Sequence, residues 1–280
     1  MFNQNTHSPG SFSFLPPVVK NLLIINGLFF LGTMSLGDAF GIDLVNLLGL
    51  HFPGSTDYRW FQWLTYMFMH GNFGHIFFNM FAIWMFGSAL ENYWGGKKFI
   101  IFYLLTGFGA AFTHYAVTYY EYYPFISLVD MVSSDPSYEN IMAFKDSPYF
   151  YLTSQLNMEF SSFMAQYTSI AESSPSEARR LASEFFVHYK ESILSLPVIV
   201  GASGALFGIL LAYGMTFPNT EILIYFLFPI KAKYFVILYG VIELISGFTS
   251  NSNVAHFAHL GGMLFGFILL MIWKKTNFRI

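Results

Sequence analysis

A serine among glycines and a histidine before two glycines lie in two different apolar segments of this chain. Ser203 belongs to a Gly-Ala-Ser-Gly sequence, and His259 begins a His-Leu-Gly-Gly sequence. Polar side chains at membrane depth cost free energy, and they usually face a bundle interior or a water-filled site. A hydroxyl and an imidazole are also the nucleophile and base of covalent hydrolysis. We therefore predict that Ser203 and His259 form the catalytic pair of an intramembrane serine hydrolase.

A second pair of polar side chains lies in another apolar segment. His75 and Asn79 are four residues apart, so they share one face of a helix. Hydrolysis by serine needs hydrogen-bond donors for the oxyanion of the tetrahedral intermediate. We predict that His75 and Asn79 supply these donors together with the backbone N–H of Ser203. The alternative is that the two side chains only satisfy each other.

The composition indicates the setting of these residues. The chain has 280 residues, of which 55% are hydrophobic and 10% are charged, and its mean hydropathy is +0.50. A soluble domain of this size could not bury so much apolar surface, which predicts a polytopic membrane protein. Cysteine is absent, which excludes disulfides, thiolate metal sites and a cysteine nucleophile.

The apolar segments predict an all-α fold with a six-transmembrane-helix bundle, since a membrane span needs about 20 apolar residues. The six segments are 20–40, 72–90, 98–118, 197–216, 233–249 and 254–273. We accordingly divide the chain into a short tail, a membrane core of three spans, an extracytoplasmic helical insertion and a second core of three spans with a basic tail: 1–19, 20–118, 119–196 and 197–280.

Basic residues predict the orientation of the bundle. With six spans, one membrane side receives Lys20, Lys97, Lys98, Lys231, Lys233, Lys274, Lys275 and Arg279. The positive-inside rule then places both termini in the cytoplasm, and we expect a bacterial inner (plasma) membrane. Ser203 and His259 would lie about six and five residues into their spans, roughly 8–9 Å below the outer surface at 1.5 Å per residue. His75 and Asn79 would lie near the same surface.

Glycines predict which spans touch. Gly204 and Gly208 form one face with small residues four apart, and Gly262 and Gly266 form another. Such faces let two helices pack backbone to backbone. We therefore expect the fourth and sixth spans to touch, with Ser203 and His259 within hydrogen-bonding reach.

The insertion 119–196 contains ten acidic and four basic residues and predicts a helical hairpin. Ser174-Pro175-Ser176-Glu177 is typical of a capping box with proline at the first helical position. Two apolar stripes at helical spacing flank it, one from Leu156 to Tyr167 and one from Ala178 to Tyr189. The stripes are expected to pack on each other, and a role in substrate capture or access is a further hypothesis.

Two alternatives to the catalytic pair remain, and one further polar residue lies within a span. His256 could replace His259 as the base, although its shallower position makes it the second choice. A metal site made of His70, His75, His256 and His259 lacks a carboxylate and leaves Ser203 unused. Glu243 is predicted to hydrogen-bond within the bundle, deeper than the catalytic pair. We therefore expect a dyad without a carboxylate, with no cofactor and no metal.

The three polar motifs together resemble those of the rhomboid family of intramembrane serine proteases. They are His70-Gly71-Asn72-Phe73-Gly74-His75-Ile76-Phe77-Phe78-Asn79-Met80, Gly201-Ala202-Ser203-Gly204-Ala205 and Ala258-His259-Leu260-Gly261-Gly262. The resemblance implies a Ser203 nucleophile, a His259 base and an oxyanion site at His75, Asn79 and the Ser203 amide. It also implies substrates that are single-span membrane proteins, cut near the outer membrane surface.

The chain departs from the family pattern at two places. Rhomboids often carry Trp-Arg in the loop before the second span, where this chain has Phe61-Gln62. The insertion is also longer than the usual link, and its role is left open.

Two rival functions remain. A non-catalytic rhomboid-like protein could bind transmembrane helices, but all four predicted site residues are present. A small-solute transporter would be expected to show repeated halves, broken helices or carboxylates along a path, and only Glu243 lies deep in a span. The expected partners are transmembrane-helix substrates and the lipid bilayer, without nucleic acid; the oligomeric state is left open.

Overall fold

The computed structural model describes residues 12–150, 154–196, 198–224, 227–249 and 255–276. The predicted tail residues 1–11 and the basic Arg279 lie outside this part of the chain. The helices in chain order are α1 (Pro17–Phe40), α2 (Leu44–Leu48), α3 (Gln62–Thr65), α4 (Phe73–Ala82), α5 (Ser88–Trp94), α6 (Gly96–Ser134), α7 (Tyr138–Lys145), α8 (Ser154–Ile170), α9 (Pro175–Ser195), α10 (Ser203–Thr216), α11 (Ala232–Thr249) and α12 (His256–Thr276). The short strands are β1 (Leu50–His51), β2 (Val198–Ile199), β3 (Glu221–Ile224) and β4 (Phe228–Lys231).

The fold is that of an all-α polytopic membrane protein, as the hydropathy predicts. Within the described ranges, five helical segments are long and apolar enough to cross a membrane: Pro17–Phe40, Phe73–Trp94, Gly96–Ser134, Ala232–Thr249 and His256–Thr276. The second of them comprises α4, a π turn at Ile83–Gly87 and α5. The shorter apolar helix α10 occupies most of the predicted fourth span.

Two helices have ends that differ from the bounds of the predicted apolar segments. The fourth span was expected to begin at residue 197, but its helix begins at Ser203, after the extended residues of β2. The third span was expected to end at residue 118, but α6 continues to Ser134 and includes Pro124. The first residues of the predicted insertion therefore extend the third membrane helix.

The chain divides into two compact units. The membrane unit comprises Met1–Leu50, Trp60–His114 and Ile199–Ile280, and the insertion unit comprises His51–Arg59 and Tyr115–Val198, both as far as the structure describes them. The proposed division of the chain at residues 19, 118 and 196 stays a prediction.

The insertion unit has an aromatic core of its own. The two predicted stripes, on α8 and α9, pack on each other, and the rings of Phe163 and Phe185 stack 4.2 Å apart. Phe186 and Tyr189 are fully buried in the same core. Proline occupies the first turn of α9, but the Ser174 side chain makes no capping hydrogen bond. The helical hairpin is therefore present, whereas the predicted capping box is not formed.

Glycines bring α10 and α12 of the membrane unit into backbone contact. A Cβ atom added to Gly262 would overlap the carbonyl oxygen of Gly204. One added to Gly266 would lie 3.3 Å from the Gly208 Cα. Only glycine allows this approach, and the predicted contact between these two helices is confirmed.

Candidate active site

Ser203 is the first residue of α10, so it does not lie six residues inside a helix as predicted. The preceding Gly201 has φ +120°, a conformation that side-chain-bearing residues rarely adopt. The Gly201 N–H donates to the carbonyl oxygen of Tyr66 at 2.9 Å. This turn ends the extended segment and places the Ser203 side chain at the N-terminal end of α10, where backbone N–H groups have no helical acceptor.

His259 lies in the first turn of α12, and its ring reaches the serine. Its Nε2 is 2.9 Å from Ser203 Oγ, which is a hydrogen-bond distance. The ring also stacks on Phe207 of α10, with centroids 4.2 Å apart and an interplanar angle of 8°. Phe207 was not predicted as part of the site. Its position four residues after Ser203, on the same face of α10, is the signal that could have indicated it.

A carboxylate completes the hydrogen bonds of the histidine. Glu243 Oε2 of α11 lies 2.9 Å from His259 Nδ1 and 2.7 Å from His256 Nδ1. The expectation that no carboxylate approaches these histidines is therefore wrong. The prediction took the depth of Glu243 from its position along its own span. In the structure α11 packs beside α12, which brings Glu243 next to His256 and His259, 13 and 16 residues later in the chain.

These contacts assign the protons of His259. An ionised carboxylate only accepts hydrogen bonds, so Nδ1 carries a proton that it donates to Glu243. In the neutral ring, Nε2 is then an acceptor for the Ser203 hydroxyl. His256 donates to Glu243, so it does not take the place of His259 beside the serine.

His75 and Asn79 lie close to Gly201, two residues before Ser203. A Cβ atom at Gly201 would lie 2.7 Å from His75 Cε1 and Nε2 and 3.7 Å from Asn79 Nδ2. Asn72 accepts a hydrogen bond from the His75 N–H at 2.8 Å, which fixes the start of α4. The structure thus brings the two predicted oxyanion donors to the loop that carries Ser203.

His70 holds the Asn79 amide. Asn79 Nδ2 is 3.0 Å from His70 Nε2, so the hydrogen-bond partner of the Asn79 amide is His70 and not His75. Burial, with the nearby His75 second, lowers the pKa of His70 to about 4. The ring is therefore neutral at physiological pH, and its Nε2 accepts from the Asn79 amide.

The histidines near the site could also hold a metal ion. In the described ranges, Glu243, His256 and His259 offer donor atoms within 4.8 Å of one another, and this is a ligand set that zinc can use. However, zinc–ligand bonds of about 2.0–2.1 Å place tetrahedral ligands about 3.3 Å apart. The two N···O distances of 2.7 and 2.9 Å are shorter and fit hydrogen bonds. The carboxylate said to be missing from a metal site is nevertheless present.

Comparison with known proteins shows the family of the chain. The model of the Rhomboid domain matches residues 57–132 and 136–276, which include Ser203, His259, His75 and Asn79. The chain belongs to the rhomboid family. An uncharacterised mitochondrial rhomboid protein of Schizosaccharomyces pombe is 25% identical over 234 residues, which cover 78% of this chain and 53% of that protein. The chloroplastic rhomboid-like protein 11 of Arabidopsis thaliana is 29% identical over 92 residues, which cover 30% of this chain and 31% of that protein. The chain thus spans about half or less of these relatives.

The rhomboid motif that the chain lacks has a local substitute. Gln62, at the position expected for arginine, is fully buried. Its Nε2 donates to the carbonyl oxygen of Leu47 at 3.2 Å, and Thr65 Oγ1 donates to that of Leu48 at 2.6 Å. These hydrogen bonds tie α3 to the end of α2, so the loop before α4 is anchored without Trp-Arg.

Proposed function

We propose that this rhomboid-family chain is an intramembrane serine endopeptidase. The observation that supports this most directly is the 2.9 Å contact between His259 Nε2 and Ser203 Oγ. A buried imidazole with an acceptor nitrogen on a serine hydroxyl is the geometry that activates serine for attack. Packing alone does not require this pair at a glycine-rich helix contact.

The proposed mechanism uses the residues in fixed roles. His259 Nε2 removes the Ser203 proton while Oγ attacks the carbonyl carbon of the scissile peptide bond. The oxyanion accepts hydrogen bonds from the Ser203 N–H, His75 and Asn79. The His259 imidazolium then gives its proton to the leaving amine, and an acyl-enzyme remains. Water hydrolyses this ester by the same base, which restores the Ser203 hydroxyl.

The proposed substrates are membrane proteins whose transmembrane helix unwinds near the outer surface. Ser203 at the start of α10 and His259 in the first turn of α12 lie at helix ends, not at mid-span. A scissile bond must therefore reach the end of the bundle rather than its centre. The lipid bilayer and the substrate helix are the expected partners.

Two relatives are named as mitochondrial and chloroplastic, which gives no support to a bacterial inner membrane.

The test of this function needs no known substrate. Detergent-purified chain is treated with a fluorescent fluorophosphonate, which reacts with activated serines. Labelling is expected for the wild type and is expected to vanish in Ser203→Ala and His259→Ala. Ser35→Ala, a serine of α1 outside the site, is the matched control and should label normally. Folded wild-type protein that stays unlabelled, or labelling retained in Ser203→Ala, would contradict the proposal and favour a non-catalytic binder of transmembrane helices.

A further inference from the structure

The mechanism above does not use the buried carboxylate of Glu243. Glu243 is 8% exposed within α11, and an ionisable group at membrane depth is expensive unless it is paired. We propose that Glu243 is a positioning residue that holds His259 in its catalytic tautomer, which makes the site a Ser203–His259–Glu243 triad. This inference rests on the proposed function and adds a residue to it.

The three members of the triad lie on three different helices, with His259 between the other two. Ser203 begins α10, His259 lies in α12, and Glu243 lies in α11. The Oγ–Nε2 and Nδ1–Oε2 distances are both 2.9 Å. The imidazole is thus held at both nitrogens, while Phe207 covers one ring face at 4.2 Å. Such a ring has little freedom to rotate, and its reactive nitrogen stays on the serine.

The charge of Glu243 has a second consequence. His259 becomes an imidazolium when it takes the serine proton, and a carboxylate beside it stabilises that charge. The side chains of His259 and Glu243 are only 9% and 11% exposed, so water screens the interaction weakly. The other titratable groups that interact with His259 in the described ranges are imidazoles: His75 of α4, His114 of α6 and His256 of α12. The negative charge therefore comes from Glu243.

His256 also donates a hydrogen bond to the Glu243 carboxylate, although it does not contact Ser203. Its Nδ1 lies 2.7 Å from the oxygen that His259 also contacts. Two N–H donors from the first turn of α12 therefore fix Glu243 Oε2. This explains why a second histidine lies three residues before the base without contacting the serine.

The kinetic test compares Glu243→Gln and Glu243→Met with Leu244→Met. Leu244 is the neighbouring residue on α11 and is largely exposed, so it controls for the change of side chain in the same helix. The rate of fluorophosphonate labelling is measured against probe concentration, which separates the maximal rate from the half-saturating concentration. In a soluble serine protease, replacing the aspartate of the triad by asparagine lowers kcat about 10⁴-fold, because the amide favours the wrong histidine tautomer. We expect the maximal rate to fall at least about 10²-fold in Glu243→Gln, whose amide N–H can donate to the ring and favour the other tautomer, and in Glu243→Met, whose thioether accepts only weakly. The half-saturating concentration should not change.

A spectroscopic test is independent of activity. In chain labelled with ¹⁵N-histidine, the Nδ1–H of His259 bound to a carboxylate should give a proton resonance far downfield of an ordinary imidazole N–H. It should vanish in His259→Ala and Glu243→Met and persist in Leu244→Met. Unchanged labelling rates in both Glu243 variants, or a wild type without this resonance, would overturn the triad. If the wild type shows the resonance but is never labelled, the proposed protease fails while the positioning of His259 stands.

Discussion

Gly201 is the residue on which the proposed oxyanion site depends most closely. Its φ of +120° is strained for any residue with a side chain, and a Cβ would lie 2.7 Å from the His75 ring. Gly201→Ala should therefore displace His75 or twist the loop before Ser203. Loss of one oxyanion donor lowers the rate about 10²–10³-fold in a soluble protease, and we expect a fall of similar size in the rate of fluorophosphonate labelling.

The control for this variant is Gly71→Ala. Gly71 lies in the motif that contains His75 and Asn79, but an added Cβ meets nothing within 4 Å. Its labelling rate should stay close to that of the wild type. Equal rates for the two variants would show that the Gly201 conformation is not needed for the site.

The site residues that the sequence predicted are marked by their immediate neighbours in the chain or by helical spacing. Ser203 and His259 each stand beside glycines, and His75 and Asn79 are one helical turn apart, so motif and spacing suffice to select them. Glu243 belongs to a third helix and carries no motif, so only the packing of α11 on α12 reveals its contact with His259. The roles assigned to these side chains stay predictions.

At the scale of elements, the contact between α10 and α12 determines whether the catalytic pair meets. A Cβ at Gly262 would overlap a backbone carbonyl oxygen, which cannot rotate away as a side chain can. Gly262→Ala should therefore push the helices apart at an overpacking cost of about 1–3 kcal/mol. Because a misplacement of about 1 Å can cost about 10² in rate, labelling of Ser203 should fall by a similar factor. Thermal unfolding in detergent measures the loss of stability.

Gly27→Ala provides the matched substitution in a helix interior. Gly27 lies in α1, and an added Cβ meets nothing within 4 Å. Alanine favours a helix over glycine by about 0.5–1 kcal/mol, so this variant should be as stable as the wild type or more so. A Gly262→Ala variant that behaves in the same way would show that α10 and α12 tolerate separation.

Hydropathy predicted the membrane helices, but their ends depend on contacts that hydropathy does not report. The apolar run before Ser203 was assigned to a helix, yet Val198–Ile199 is extended and Gly201 turns the chain. The end of α6 was placed at residue 118, where aromatic and acidic residues begin. The helix continues because Val129 and Val132, beyond that point, are buried in the aromatic core of the insertion unit. The β3–β4 hairpin between α10 and α11, paired from Glu221 and Lys231 to Ile224 and Phe228, was not predicted.

The orientation of the whole molecule is a prediction from charge. If the positive-inside rule holds for this chain, the end of α12 with Lys274 and Lys275 faces the cytoplasm. The insertion, with its excess of acidic residues, then lies on the opposite side. By the parity of the six predicted spans, Ser203 and His259 would lie near that same membrane surface. Orientation therefore determines which compartment supplies water and the scissile bond.

The absence of cysteine makes this orientation directly measurable. Glu172→Cys, in the turn between α8 and α9, and Lys275→Cys, near the end of α12, each introduce a single thiol at an exposed position. In intact bacterial cells that express the chain, a membrane-impermeant maleimide should label Glu172→Cys but label Lys275→Cys only after permeabilisation. The unsubstituted chain is the control and should stay unlabelled. The reverse pattern would place the insertion and the proposed site in the cytoplasm, and labelling of both thiols in intact cells would contradict a membrane crossing between them.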